Sequence, residues 1–269
     1  MTNTTNAKER NTILVIGITG KTGKRVADQL ENRGIPVRQG SRSSDIPFDW
    51  EEPQTWAPAL AGVDKAYLTY YPDLAIPGAP EAVRAFAEAA IEQGVRRLVL
   101  LSGRGGEEAQ RAERLVQESG ADCTIVRCAW FMQIFSEDYL LDPIQAGEVV
   151  LPADAGQLDP FVDTDDIADV AVAALTEPGH AGQVYELTSP RVLNFPEAIA
   201  EIAKASGRDI TYVPVSVQDY AVGAAEYGVP AEFVEFLIYL FSDVLGNRAY
   251  VTDDVQRALG RPARDFTDY

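Results

Sequence analysis

The chain has 269 residues, 46% hydrophobic and 24% charged, enough for a full buried core in an ordinary soluble globular protein. A net charge of −18 argues against nucleic acid as a direct partner, and a single histidine, His180, leaves no set for a histidine metal cluster or a Ser-His-Asp triad, so no metal is expected. The longest apolar run, residues 233–241, is broken by Glu235 and is too short to span a bilayer, so no membrane insertion is expected.

Residues 1–12 are polar, lack the apolar stretch of a secretory signal, and read as a frayed tail. Residues 13–16, Ile-Leu-Val-Ile, read as a buried strand. The run ends at Gly17. Gly20 and Gly23 follow at three-residue steps, and Val26 and Leu30 then stand at helical spacing. This is the order of a strand, a tight turn and a helix N-terminus, where backbone N–H groups and the positive end of the helix dipole suit a pyrophosphate. Gly17 permits a sharp exit from the strand, Gly20 an approach of backbone to phosphate, and Gly23 close packing of helix on sheet. Thr19, Lys21 and Thr22 fill the same turn and join the three glycines as candidate cofactor-binding residues. Gly34 closes the helix. Residues 35–39 read as a second strand, which completes a βαβ opening.

Further along, a short helix is expected near 54–61, a strand at 65–70 and an alanine-rich helix at 80–93 capped by Gly94. A strand at 97–101, a helix at 107–119 and a strand at 122–127 follow. Cys123 and Cys128, five apart on that last strand, point to opposite faces, which predicts neither a disulfide nor a shared metal and suits a reducing cytoplasm. Asp163 or Thr164 can cap a helix running through Leu175, with Asp165 and Asp166 in its first turn. His180, between Gly179 and Ala181, reads as a surface loop residue.

Alternating strand and helix patterns imply an α/β fold, a doubly wound parallel (Rossmann) sheet with a smaller C-terminal α/β lobe. The dinucleotide-binding domain is expected at 12–190, with 129–160 partly in the smaller lobe and 191–269 forming the rest of it. Residues 233–241 read either as a buried helix or as a helix walling a substrate pocket or a dimer contact, and a homodimer fits the second reading. Ligands bind outside the carboxyl ends of such strands, so the cleft is expected between that lobe and residues 17–23, 69–72 and 102–106. That placement brings Thr69 and Tyr70 to the cofactor.

The spacing G-x-x-G-x-x-G resembles that of extended and atypical short-chain dehydrogenases/reductases. Three other segments narrow the match: Arg-Leu-Val-Leu-Leu-Ser at 97–102, the stretch from Glu113 through Ser119-Gly120 to Arg127, and Phe-Val-Asp-Thr-Asp-Asp-Ile-Ala-Asp at 161–169. Together they resemble the NmrA-like family over residues 12–215. The resemblance implies an NAD(P)-binding chain, either a reductase of the triphenylmethane or quinone type or a redox sensor that binds NADP without turning it over. It also implies that Asp49 borders the adenine, a solvated loop acid being the other reading.

An NAD-selective site places an Asp or Glu about 20 residues after the turn. Here the position reads Gln39-Gly40-Ser41-Arg42, with no carboxylate until Asp45. The Arg42 fork and the Ser41 hydroxyl match a 2′-phosphate, and Lys21 adds charge, so NADP(H) is expected over NAD(H). Residues 1–44 carry eight Lys and Arg against three acids, a balance of +5 that leaves −23 for the remainder. A positive segment in an acidic chain favours a polyanionic ligand there.

The chain has five lysines, Lys8, Lys21, Lys24, Lys65 and Lys204, and none has a tyrosine four residues earlier. The Tyr-x-x-x-Lys acid/base pair is therefore missing, which disfavours alcohol dehydrogenation and epimerisation. What remains is hydride delivery to an electrophile such as a quinone, azo, imine or triarylmethane compound, where the cofactor brings the reactive atom. Tyr70, Tyr71 and Ser102 stand as candidate hydrogen-bond donors to substrate or ribose, and core or loop roles are the alternative. Trp130, Phe131 and Met132 occupy the family's stretch near the nicotinamide and read as a substrate wall or as core. Where family enzymes carry His or Lys before the matching Glu113, this chain has Gln110 and Arg111. The leading expectation is a cytoplasmic NADPH-dependent reductase of a small aromatic electrophile. Its rival is a non-catalytic NADP(H) sensor that binds a regulatory protein.

Overall fold

The aliphatic run forms β1 (Thr12–Ile16), whose last four residues are buried. The structure is a computed structural model that describes residues 11–246 and 249–269, so the expected frayed tail lies outside the described residues up to position 10. The chain then passes through α1 (Lys21–Asn32), β2 (Val37–Gly40), α2 (Trp56–Leu60), β3 (Val63–Leu68), α3 (Ala79–Glu92), β4 (Arg97–Gly103), α4 (Glu107–Gln117) and β5 (Asp122–Cys128). After these come α5 (Leu141–Ala146), β6 (Glu148–Leu151), α6 (Thr164–Thr176), β7 (Val184–Leu187), α7 (Phe195–Ser206), β8 (Thr211–Pro214), α8 (Val217–Glu226), α9 (Ala231–Tyr239) and α10 (Asp254–Leu259).

Six strands form one sheet in the order β2-β1-β3-β4-β5-β7, and β6 pairs with β8 separately. β1 runs parallel to both β2 and β3, with Val15 opposite Gln39 on one side and Tyr67 on the other. The order reverses at β1, which makes the carboxyl ends of β1 and β3 a topological switch point. The expected Rossmann-like α/β fold is the one observed.

The chain divides into two compact units. The first runs from the start of the described residues to Gly103 and includes Glu107–Arg127 and Ile167–Tyr185. The second comprises Arg104–Gly106, Cys128–Asp166 and Glu186–Tyr269. In the first, Leu14, Ile16, Leu68, Phe86, Leu98 and Leu100 are buried in one core. In the second, Phe135, Phe161, Phe195 and Phe241 pack on one another, with the Phe161 and Phe195 ring centroids 5.2 Å apart at 88°. The apolar run at 233–241 spans most of α9, and Val234, Leu237 and Phe241 are buried, as its reading as a buried helix anticipates.

Two expectations shift. The strand placed at 65–70 begins two residues earlier, because Gly62 turns the chain with φ +77° straight into Val63. Thr69 and Tyr70 therefore leave the sheet at its carboxyl edge. His180 is not a surface residue: it is buried, its Nδ1 lies 2.8 Å from the Tyr185 hydroxyl, and its carbonyl accepts from Thr124 Oγ1 at 2.7 Å. The Asp163 carboxylate does cap α6, accepting from the Asp165 N–H at 2.8 Å. At the other end of α6, Lys65 Nζ donates to the Leu175 carbonyl (2.7 Å) and Arg97 to those of Ala174 (2.9 Å) and Glu177 (2.8 Å), two cations where the dipole is negative. Cys123 and Cys128 are both buried, and neither is in a disulfide.

Candidate dinucleotide site

At the end of β1, Gly17 adopts φ +75° and its N–H donates to the Gly40 carbonyl at 2.9 Å. A side chain at Gly17 would collide with Thr69 Oγ1, which itself donates to the Ile16 carbonyl at 3.1 Å. A Cβ on Gly23 would collide with the Gly17 carbonyl, so α1 touches the turn backbone to backbone. Gly40 is equally confined, since a Cβ there would lie 2.9 Å from Ile16 Cα. Sequence reasoning gave Gly40 no role, and only the β1–β2 register reveals one.

The N–H groups of Gly17 and Gly20 are engaged inside the turn, the latter with the Gly17 carbonyl at 2.8 Å. Lys24 N–H makes the first helical bond, to the Gly20 carbonyl at 3.0 Å, so the amides of residues 21–23 stand before it. Gly20 is the N-cap and offers no capping side chain, and the first turn of α1 carries no acid. Other helices here are finished differently. α7 has a full capping box from Asn194 and Glu197, α8 is capped by Ser216, and α3, α4 and α6 carry acids in their first turns. Such acids would repel an anion, and among α1, α3, α4, α6, α7 and α8 only α1 has neither acid nor side-chain cap.

Beside this turn, the loop after β2 folds on Ser41. Its carbonyl accepts from Phe48 N–H at 2.9 Å and its hydroxyl lies 2.8 Å from that of Ser44. Arg42, two residues from the Gly17–Gly40 bond, is exposed and has no side-chain partner among the described residues. Three other cations of this region are occupied. Arg38 donates to the Ala59 (3.1 Å) and Ala61 (2.5 Å) carbonyls at the end of α2, Lys24 pairs with Asp28 (2.6 Å), and Arg25 bonds the Lys21 carbonyl (3.0 Å). Part of that positive charge is thus structural. Asp49 forms an Asx turn, its Oδ1 accepting from Glu51 N–H at 3.0 Å, while its carbonyl accepts from Trp56 Nε1 at 2.8 Å.

Trp50 Nε1 donates to the Thr69 carbonyl at 2.9 Å and its ring lies 5.1 Å from that of Tyr70. Burial, and then the charge of Glu51, push the Tyr70 phenol above its ordinary value, so it stays a donor at neutral pH. Tyr71 is 79% exposed. Ser102 is buried and donates to Glu113 Oε1 at 2.6 Å, while Arg127 grips the same carboxylate, through Nε at 2.9 Å and through a second bond from Nη2 to Oε2. In the second unit, Met132 is fully buried in the core, whereas Trp130 and Phe131 pack against it half-exposed. Among the described residues no group of three or more His, Cys, Asp or Glu could hold a metal.

A family model described as NAD(P)H-binding matches residues 17–178, from the first turn glycine to just past the end of α6. The chain belongs to that NAD(P)H-binding family. Within it the resemblance to NmrA-like atypical short-chain dehydrogenases/reductases holds. An NAD(P)H azoreductase of Xenophilus azovorans is 31% identical over 96% of both chains. Among solved structures, a Staphylococcus aureus nucleoside-diphosphate-sugar epimerase superposes with TM-score 0.80 at 22% identity over 96% of this chain and 98% of its own. A Citrobacter sp. triphenylmethane reductase complexed with NADP(H) superposes with TM-score 0.73, also at 22% identity, over 96% of this chain and 98% of its own. The sequence relatives place this NAD(P)H-binding chain in an NAD(P)H-dependent reductase family. Among the described residues no helix is long and apolar enough to cross a membrane.

Proposed function

We propose that the chain is an NADPH-dependent reductase that passes hydride to a small aromatic electrophile of quinone, azo, imine or triarylmethane type. One observation carries this reading: the N-terminus of α1 is walled by three glycines, lacks both a capping side chain and a first-turn acid, and stands beside exposed Arg42. A Cβ at Gly17 or Gly23 would collide with Thr69 Oγ1 or the Gly17 carbonyl, so glycine alone lets strand end, turn and helix close this tightly and leaves the first-turn backbone to meet a diphosphate. The first-turn amides, with Thr19, Thr22 and Lys21, would hold the diphosphate. Ser41 and Arg42 would hold a 2′-phosphate, which selects NADP(H) over NAD(H).

When bound, the nicotinamide supplies the hydride, and the chain needs only to position an acceptor and exclude water. Thr69, fixed to β1, and Tyr70, fixed by Trp50, line the route out of β3, and Tyr70 and Tyr71 are the donors offered to ribose or acceptor. Trp130 and Phe131 supply apolar area on the second unit for an aromatic ring. Missing the Tyr-x-x-x-Lys pair, the chain suits acceptors that need no strong protein acid. The azoreductase among the relatives supports the azo class.

The test is consumption of NADPH, followed at the nicotinamide absorbance band, with a panel of quinones, azo compounds and triarylmethane dyes. Acceptor-dependent consumption supports the reductase. Tight NADPH binding without turnover across the panel overturns it in favour of the sensor.

A further inference from the structure

Arg104, between two glycines just after β4, is 6% exposed. Its Nε donates to Glu186 Oε1 at 2.7 Å, its Nη2 to the Tyr250 carbonyl at 3.2 Å, and the Tyr250 ring lies over the guanidinium at 4.4 Å. Nη1 is buried and has no partner. A buried guanidinium nitrogen left unmet costs stability unless a ligand meets it, so such atoms mark sites.

The Arg104 N–H donates to the Cys128 carbonyl at 3.0 Å, and two residues on, the Trp130 N–H donates to Asp159 Oδ1 at 3.2 Å. Asp159 is 6% exposed and its backbone is clamped by two bonds to Leu193, of 2.9 and 3.0 Å. Arg104 is close enough to bear on the ionisation of Asp159, yet the two form no ion pair. All these residues belong to the second unit.

We propose that Arg104 Nη1 and the Asp159 carboxyl group form a subsite for an oxygen atom of an aromatic ligand, the class from which the reductase draws its acceptor. This rests on the reductase reading given above. Burial, opposed by the Trp130 N–H and the Arg104 charge, pushes the Asp159 carboxyl up to about 7, so near neutral pH it still carries a proton to donate. The pair then offers two donors, Nη1 and the carboxyl O–H, to a group that only accepts. The charged and titratable groups around the pair are Glu186 and Tyr250, both held on Arg104, and Cys128, whose thiol burial keeps neutral. Trp130 and Tyr250 supply the aromatic surroundings.

The test is calorimetric titration of the whole chain with benzoate, which cannot be reduced by hydride transfer. Saturable binding is expected at about pH 6, falling at least tenfold by about pH 8.5 as Asp159 ionises and repels the carboxylate. Asp159→Asn keeps a donor and is expected to bind at both pH values with a flat profile. Arg104→Lys keeps the Glu186 pairing but removes Nη1, and is expected to lose at least tenfold in benzoate affinity while NADPH affinity holds. No binding at pH 6, or binding that ignores both substitutions, overturns the subsite. Should Arg104→Lys fail to fold, an unchanged pH slope in Asp159→Asn overturns it alone. Loss of NADPH binding by the wild-type chain sinks the reductase reading instead and leaves the benzoate result standing.

Discussion

Gly23, in the first turn of α1, lies so close to the carbonyl of Gly17 that a methyl group on it would collide with that oxygen. The contact fixes how near the helix N-terminus comes to the end of β1. Gly23→Ala must push the two apart at a cost of about 1–3 kcal/mol. The same displacement moves the first-turn amides, so NADPH affinity should fall at least tenfold. Chemical denaturation with calorimetric NADPH titration checks both, and an unaltered affinity would show that the diphosphate sits elsewhere.

Arg42 is the exposed cation left without a partner beside that turn. A charge-assisted fork on a phosphate contributes about 1.5–3 kcal/mol, roughly tenfold or more in affinity. Arg42→Ala should therefore weaken NADPH at least tenfold while NADH changes little. Equal losses for the two cofactors would remove Arg42 from the 2′-phosphate site.

Ser102, Glu113 and Arg127 form a buried brace linking β4, α4 and β5. Arg127→Leu leaves the Glu113 carboxylate buried without its cation, and a loss of about 3 kcal/mol is expected by denaturant midpoint. The double variant with Glu113→Leu should recover part of it. Ser102→Ala should lower stability yet leave kcat/KM within about threefold, because the serine proton is already given to Glu113. A drop of a hundredfold in kcat/KM at full stability would return Ser102 to the site.

The β1-turn-α1 segment was legible because its signal is local: an aliphatic run, three glycines and an amphipathic helix within twenty residues. The first unit's strands followed for the same reason. The second unit's elements, and β7, half of which belongs to the first unit, did not register. β6, β7 and β8 have four residues each, too few for a period to register, and none of the four β8 residues is fully buried. The sequence placed residues 102–106 at the cleft but gave Arg104 no role, because the groups that cover it, Glu186 and Tyr250, lie 82 and 146 residues on. His180 misled similarly, since the Tyr185 hydroxyl that holds its ring is supplied by β7, a strand the pattern did not reveal. Arg127 and Glu113 stood in the family-like segment, but their joint role needs the helix packed on the sheet.

Two carboxylates of the second unit give opposite dependences on pH. Asp265 is held below the usual carboxylate range by the Arg191 fork, at 2.7 and 2.9 Å, which also grips Glu201 at 2.6 and 2.7 Å. Its folded value lies below its unfolded one, so its stabilisation is present above about pH 4 and is lost as pH falls through the folded value. Asp265→Asn should lower the melting temperature at neutral pH, with the gap to wild type only beginning to narrow below about pH 4 and closing as pH falls through the folded value. Asp159 runs the other way, from an ordinary 3.8 to about 7. The folded state holds its proton more tightly, so stability is fully present below about pH 4 and declines as pH rises to about 7, in all by about 3–4 kcal/mol. Asp159→Asn removes that decline: its melting temperature should match wild type near pH 4 and exceed it at pH 8. A variant no more stable than wild type at pH 8 would mean that the carboxylate is charged and satisfied in the folded chain, with no proton left to offer a ligand.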